Sequence, residues 1–200
     1  SIRRNGTLYR LRPLSDGRHV LVQVDESRMP ADHPADYNTL PRIDIPVSER
    51  VGIAQASSGS PATIRVLVAA TNAAVNAYGG NMQSLVQLAV AESNQGYVNS
   101  NVGITMQLAR YETTNYTESG SFDTDLARFR GTSDGYMDSI HTSRNTYTAD
   151  VGVLLINNSA YCGLASGIGS TASTAFAAVY WDCATGYYSF AHEIGHLQSA

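Results

Sequence analysis

The run Ile64-Arg65-Val66-Leu67-Val68-Ala69-Ala70 limits the fold of this 200-residue chain more than any other segment. It is β-branched and apolar with almost no polar interruption, the pattern of a strand packed on both faces. Such a strand belongs in the middle of a sheet that helices cover on two sides. The rest of the chain supplies those partners. A helix of about four turns is expected between Gly80 and Asn99, with Leu85, Leu88, Ala89 and Glu92 marking its faces and Gly96 weakening its end. Residues 104–111 alternate as a strand, 151–156 form a second buried strand and 175–181 a third. Helical patterns fall at 123–129 and 134–143, and the chain closes on one more helix. Strands alternating with helices give an α/β class with a twisted, mainly parallel sheet. No internal repeat is visible.

The first 60 residues read differently. Thr7 to Leu14 and His19 to Val24 alternate around Ser15-Asp16-Gly17-Arg18, which reads as a β-hairpin. Pro30, Pro34, Pro41 and Pro46 follow, with Asp32, His33 and Asp36 among them; proline at this density predicts an extended tether. The expected organisation is a hairpin over 1–27, a proline-rich linker over 28–60 and a main body over 61–200.

Composition excludes some functions. Net charge is −4, the 13 basic residues are scattered arginines, and no basic run exists to meet a polyanion, so nucleic acid is not an expected partner. No apolar stretch approaches the roughly 20 residues that cross a bilayer, so no membrane partner is expected. Ser1-Ile2-Arg3-Arg4 is not a signal peptide, since no apolar core follows; the expectation is a removed leader or an excised piece. Cys162 and Cys183 are the only cysteines, and they bracket a Gly/Ser/Ala-rich stretch. They are either two buried thiols or a disulfide, and a secreted chain favours the bridge.

The chemistry lies in His192-Glu193-Ile194-Gly195-His196. Residues four apart on a helix share a face, about 5–6 Å between Cβ atoms, so His192 and His196 can hold one ion. Zinc suits neutral imidazoles and lowers the pKa of its water towards about 7. Glu193 flanks the first ligand, placed to take that water's proton. Tyr187, Tyr188, Phe190, Ala191, Ile194 and Leu197 supply the apolar spacing of a buried helix around it.

The element order, ending in Phe190-Ala191-His192-Glu193-Ile194-Gly195-His196-Leu197-Gln198, resembles the metzincin clan of zinc endopeptidases over roughly 64–200. Together with Tyr161-Cys162-Gly163-Leu164-Ala165, that text is most similar to bacterial secreted members near the peptidyl-Asp metalloendopeptidases. The resemblance implies zinc on His192 and His196, and Glu193 as general base. It also implies a peptide or protein substrate lying antiparallel along an edge strand, placed at Ala175, Phe176, Ala177, Ala178, Val179 and Tyr180. A bridge between Cys162 and Cys183 would pin the loop before that edge to the loop before the motif helix.

The chain departs from the clan in two ways. Metzincins continue H-E-x-x-H-x-x-G-x-x-H, but the glycine position holds Ser199, and the third histidine falls beyond Ala200, as does the methionine turn. Serine takes φ > 0 at a cost of about 1 kcal/mol. Isolated histidines do not repair the gap: His19 and His141 are expected to be surface or packing residues. The expectation is therefore a secreted zymogen's fragment with weak or no activity of its own. In it Asp32, His33, Asp36 or Asp44 is a candidate inhibitory group. The competing expectations are a zincin with a glutamate as third ligand, or a non-catalytic secreted binding domain. The oligomeric state and the natural substrate are not legible.

Overall fold

The computed structural model describes residues 1–14, 16–34 and 62–200. The N-terminal part is a three-stranded antiparallel sheet of β1 (Ile2–Arg4), β2 (Thr7–Pro13) and β3 (His19–Val24), in that order. The expected hairpin is β2–β3. The added strand β1 joins β2 through Asn5-Gly6, with φ of 50° and 80°. Both residues take left-handed conformations, which asparagine and glycine tolerate best and which match the twist of paired strands. A 3-10 turn at Glu26–Arg28 follows, capped by the Asp25 carboxylate. Asp36 and Asp44, like most of the proline-rich tether, lie outside the described residues.

The main body is built on a five-stranded sheet of β4 (Ala62–Thr71), β5 (Ile104–Thr114), β6 (Val151–Ile156), β7 (Gly163–Ala165) and β8 (Phe176–Tyr180), ordered β5-β4-β6-β8-β7. All neighbours are parallel except β7 with β8. The helices are α1 (Asn72–Tyr78), α2 (Met82–Asn99), α3 (Phe122–Arg130), α4 (Ser139–Thr146) and α5 (Ser189–Leu197). The expected mainly parallel α/β sheet with an antiparallel edge and a closing motif helix is the observed fold.

Period-two alternation sends β4 side chains to opposite faces. Val66, Val68 and Ala70 meet Leu85, Val86 and Ala89 of α2 and Phe190, Ile194 and Leu197 of α5. Leu67 and Ala69 meet Phe122, Leu126 and Phe129 of α3, with Met137 and Ile140. The motif helix thus rests on one face of the sheet. Burying Phe190, Ile194 and Leu197 contributes about 2 kcal/mol each to holding it there.

Two expectations shift. The helix expected from 134 starts at Ser139, because Gly135 takes φ 84° and the Asp138 carboxylate accepts from the N–H groups of Asp134 and Gly135. The segment 175–181 was expected to be the sheet edge, and it is not. Strand β8 is hydrogen-bonded to β6 on one side and β7 on the other, so the edge is β7. Phe176 and Ala178 enter one core, and Ala177 and Val179 the other. That strand has no backbone left to offer a peptide.

Candidate metal centre

Helix α5 is launched from a loop that is tied down from several directions. Cys183 bonds Cys162 across 21 positions, so the start of β7 and the approach to α5 are covalently joined. Closing a loop of this size contributes about 3 kcal/mol in the chain-entropy model. The Trp181 indole N–H donates to Asn157 Oδ1 at 2.8 Å. Tyr188 enters the helix with φ 66°, and the Ser189 N–H bonds the Cys183 carbonyl.

At the far end the helix closes through Ser199 at φ 74°. The Ser199 N–H meets the His196 carbonyl and the Ala200 N–H the Gly195 carbonyl, each at 3.0 Å, which is the Schellman pattern. Serine thus makes the sharp turn for which the clan uses glycine.

One helical turn brings His192 Nε2 and His196 Nε2 to 2.9 Å, with the rings nearly perpendicular. Two nitrogens sharing a tetrahedral shell lie about 3.3 Å apart, so the pair is close to ligand spacing. His196 Nδ1 lies 3.1 Å from the Ala200 carbonyl; a proton placed there leaves the Nε2 lone pair for a metal. Burial is the main cause that lowers the pKa of both imidazoles below the ordinary value. At His192 the field of Asp32 opposes it and His33 adds to it; at His196 the charge of His192 is the second cause. Neutral rings are the form zinc ligates. The donors present therefore fit zinc as part of its shell. Among the described residues no group of three histidine, cysteine or acidic side chains closes on one point. His141 lies away from this centre, tilted against Phe176 at 5.3 Å, and His19 is exposed on β3.

Glu193 is fully buried between α5 and β7. A Cβ at Gly163 would stand 2.4 Å from Glu193 Oε1 and 2.5 Å from its Cγ, so the carboxylate occupies the space a side chain there would take. We expect Gly163→Ala to displace that carboxylate. A reaction that passes its proton to Glu193 should slow about 10²-fold with metal content unchanged; metal analysis beside steady-state kinetics on the full-length protein checks both halves.

The sequence profile of Reprolysin_5, metallo-peptidase family M12, matches residues 60–200. The chain belongs to the M12 metallopeptidases. This M12 chain is 86% identical over 200 residues to the peptidyl-Asp metalloendopeptidase of Stenotrophomonas maltophilia (strain K279a), and 81% identical to that of Xanthomonas campestris pv. campestris. Each alignment covers 100% of this chain and 48% of the relative. It therefore spans about half the length of the curated relatives it matches. A solved chaperone-substrate complex shares the fold, with TM-score 0.55 and 18% identity over 68% of this chain and 24% of that one.

The two histidines expected to share a helical face do approach there, at 2.9 Å, whereas β7 as the edge and Gly163 against Glu193 were not expected. The signal is Gly163-Leu164-Ala165 itself, three residues that carry the family resemblance and are too few to show a strand's alternation.

Proposed function

We propose that this chain carries the general base and two metal ligands of a secreted zinc endopeptidase that cuts on the N-terminal side of Asp or Glu. The observation that carries this reading is the 2.9 Å convergence of His192 and His196 Nε2, with the adjoining residue Glu193 packed against Gly163. The name shared by the relatives, peptidyl-Asp metalloendopeptidase, supports the cleavage preference. The buried disulfide supports an oxidising compartment. No described helix is long and apolar enough to cross a membrane.

His192 and His196 would hold the zinc, and the resemblance assigns the third ligand to sequence beyond Ala200. When bound, zinc supplies Lewis acidity to the scissile carbonyl and to the attacking water. The protein's own groups do the rest. The backbone of β7, as the edge strand of the large sheet, would take an extended peptide by strand addition. The Glu193 carboxylate accepts a proton from the attacking water and returns it to the leaving amine. Its full burial keeps competing solvent away from that transfer.

The test uses the full-length protein and a peptide with a single Xaa–Asp bond. Wild type should bind one zinc and cut that bond, and His192→Ala should lose both metal and cleavage. Cleavage that survives His192→Ala refutes the assignment.

A further inference from the structure

A helix leaves its last four carbonyls without donors from its own ladder. In α5 these belong to Ile194, Gly195, His196 and Leu197. The N–H groups of Gln198 and Ala200 meet the first two within the closing turn. His196 and Leu197 draw donors from elsewhere in the chain. The Gly169 N–H donates to the His196 carbonyl at 2.7 Å, and Ser170 Oγ donates to the Leu197 carbonyl at 2.8 Å. Gly169 takes φ 81°, which favours glycine where the chain turns to meet the helix. From α2, Tyr97 Oη accepts from Gln198 Nε2 at 2.8 Å. The end of the motif helix is therefore held by two separate elements.

The loop that carries Gly169 and Ser170 joins β7 to β8 and is itself pinned. The Thr174 N–H donates to the Thr171 carbonyl at 3.0 Å and the Thr171 N–H to Thr174 Oγ1 at 2.8 Å, which closes a turn. Arg144, near the end of α4, donates from Nη1 to the Ala172 carbonyl in that turn. The same guanidinium reaches the Asp150 carbonyl through Nη2 and the Ala149 carbonyl through Nε, ahead of β6. It lies 4.6 Å over the Phe176 ring at the start of β8. A planar fork of donors can serve three fixed carbonyls at once, which the single ammonium of lysine does poorly. Ser170 is thus presented to the helix from a loop tied to the sheet and to α4.

We propose that Ser170 is a positioning residue for the metal centre: from the loop locked by Arg144 it fixes the last turn of α5, and through that turn the orientation of His196. This rests on the reading of His196 as a zinc ligand. The path from hydroxyl to ring is short. Leu197 leads directly into the turn at Gln198 and Ser199, and the Ala200 carbonyl at its end stands 3.1 Å from His196 Nδ1. A turn that rocks carries that carbonyl away and lets the imidazole rotate off its 2.9 Å approach to His192. Ser199 holds φ 74°, which serine adopts less readily than glycine, so this turn depends on outside contacts to stay closed. The same turn also sets the direction in which the chain leaves toward the third ligand.

Zinc affinity and amide hydrogen exchange on the full-length protein test this without relying on turnover. Ser170→Ala should weaken zinc binding, measured by competition with a chromophoric chelator, about tenfold, the lower end for a group that orients a metal ligand. It should also speed exchange at the Ser199 and Ala200 amides by about tenfold. Ser170→Thr keeps the hydroxyl and should restore both. Arg144→Met should reproduce the loss by releasing the loop; if that variant fails to fold, the two Ser170 variants still decide. In the cobalt-substituted protein, Ser170→Ala should shift the visible absorption of the metal, which a loss of global stability alone would not do. Wild-type zinc affinity in folded Ser170→Ala overturns the proposal, as does a loss that Ser170→Thr fails to rescue. A wild-type protein that binds no zinc removes the ligand reading instead. Exchange then decides the brace alone: faster exchange in Ser170→Ala keeps it, and unchanged exchange overturns it.

Discussion

Glu193→Gln should lower kcat of the full-length protein by about 10³-fold, while zinc content and KM stay close to wild type. Glutamine fills the same volume, so the tight seat over Gly163 and the packing of α5 survive. What disappears is basicity: an amide oxygen cannot take a proton from water at neutral pH and hand it to an amine. A 10³-fold loss corresponds to about 4 kcal/mol of transition-state stabilisation, reasonable for one positioned proton-transfer group. Kinetics on an Xaa–Asp peptide with metal analysis on the same samples decide the matter. Retention of more than a tenth of the wild-type kcat means that the proton goes elsewhere. Combining Glu193→Gln with Gly163→Ala sharpens the reading. If Gly163 acts only by seating the carboxylate, the second change adds little once the base is gone, so the two losses are far from additive.

Parts of this arrangement were legible because they obey local rules. The continuous apolar run at 64–70 could only be an inner strand, and histidines four apart on an apolar helix had to share a face. Other parts were legible but misread. Phe176-Ala177-Ala178-Val179-Tyr180 is as unbroken as the inner strands, which argues for burial on both faces, yet its place before the motif helix made it look like the edge. Strand β7 is only three residues long, too short for an alternation to show. The Asn5-Gly6 pair was a turn signal overlooked beside the stronger hairpin after it. What no local rule carries is pairing across the chain. Arg10 and Asp182 are 172 positions apart, and nothing in either neighbourhood announces the other.

That distant pair sets the largest stability effect we expect. Arg10 is buried on β2, and burial lowers its pKa against the opposing field of Asp182. Its Nε and Nη2 find no partner among the described residues, so the Asp182 carboxylate is its main compensation. Asp182→Ala strands that cation. Removing one member of a buried pair costs about 3–5 kcal/mol, and the partial exposure of Asp182 puts the loss near the lower bound. In a domain of this size about 3 kcal/mol corresponds to a fall in Tm of roughly 6–12 °C. The penalty comes from the orphaned charge and not from a lost attraction, so it has a signature. Arg10→Met added to Asp182→Ala should restore most of the stability, because an apolar chain of similar length needs no counter-charge. Denaturant melts of the two single variants and the double variant measure this directly. If Asp182→Ala costs less than about 1 kcal/mol, the pair behaves as a solvated surface bridge, and water reaches Arg10 between the two sheets.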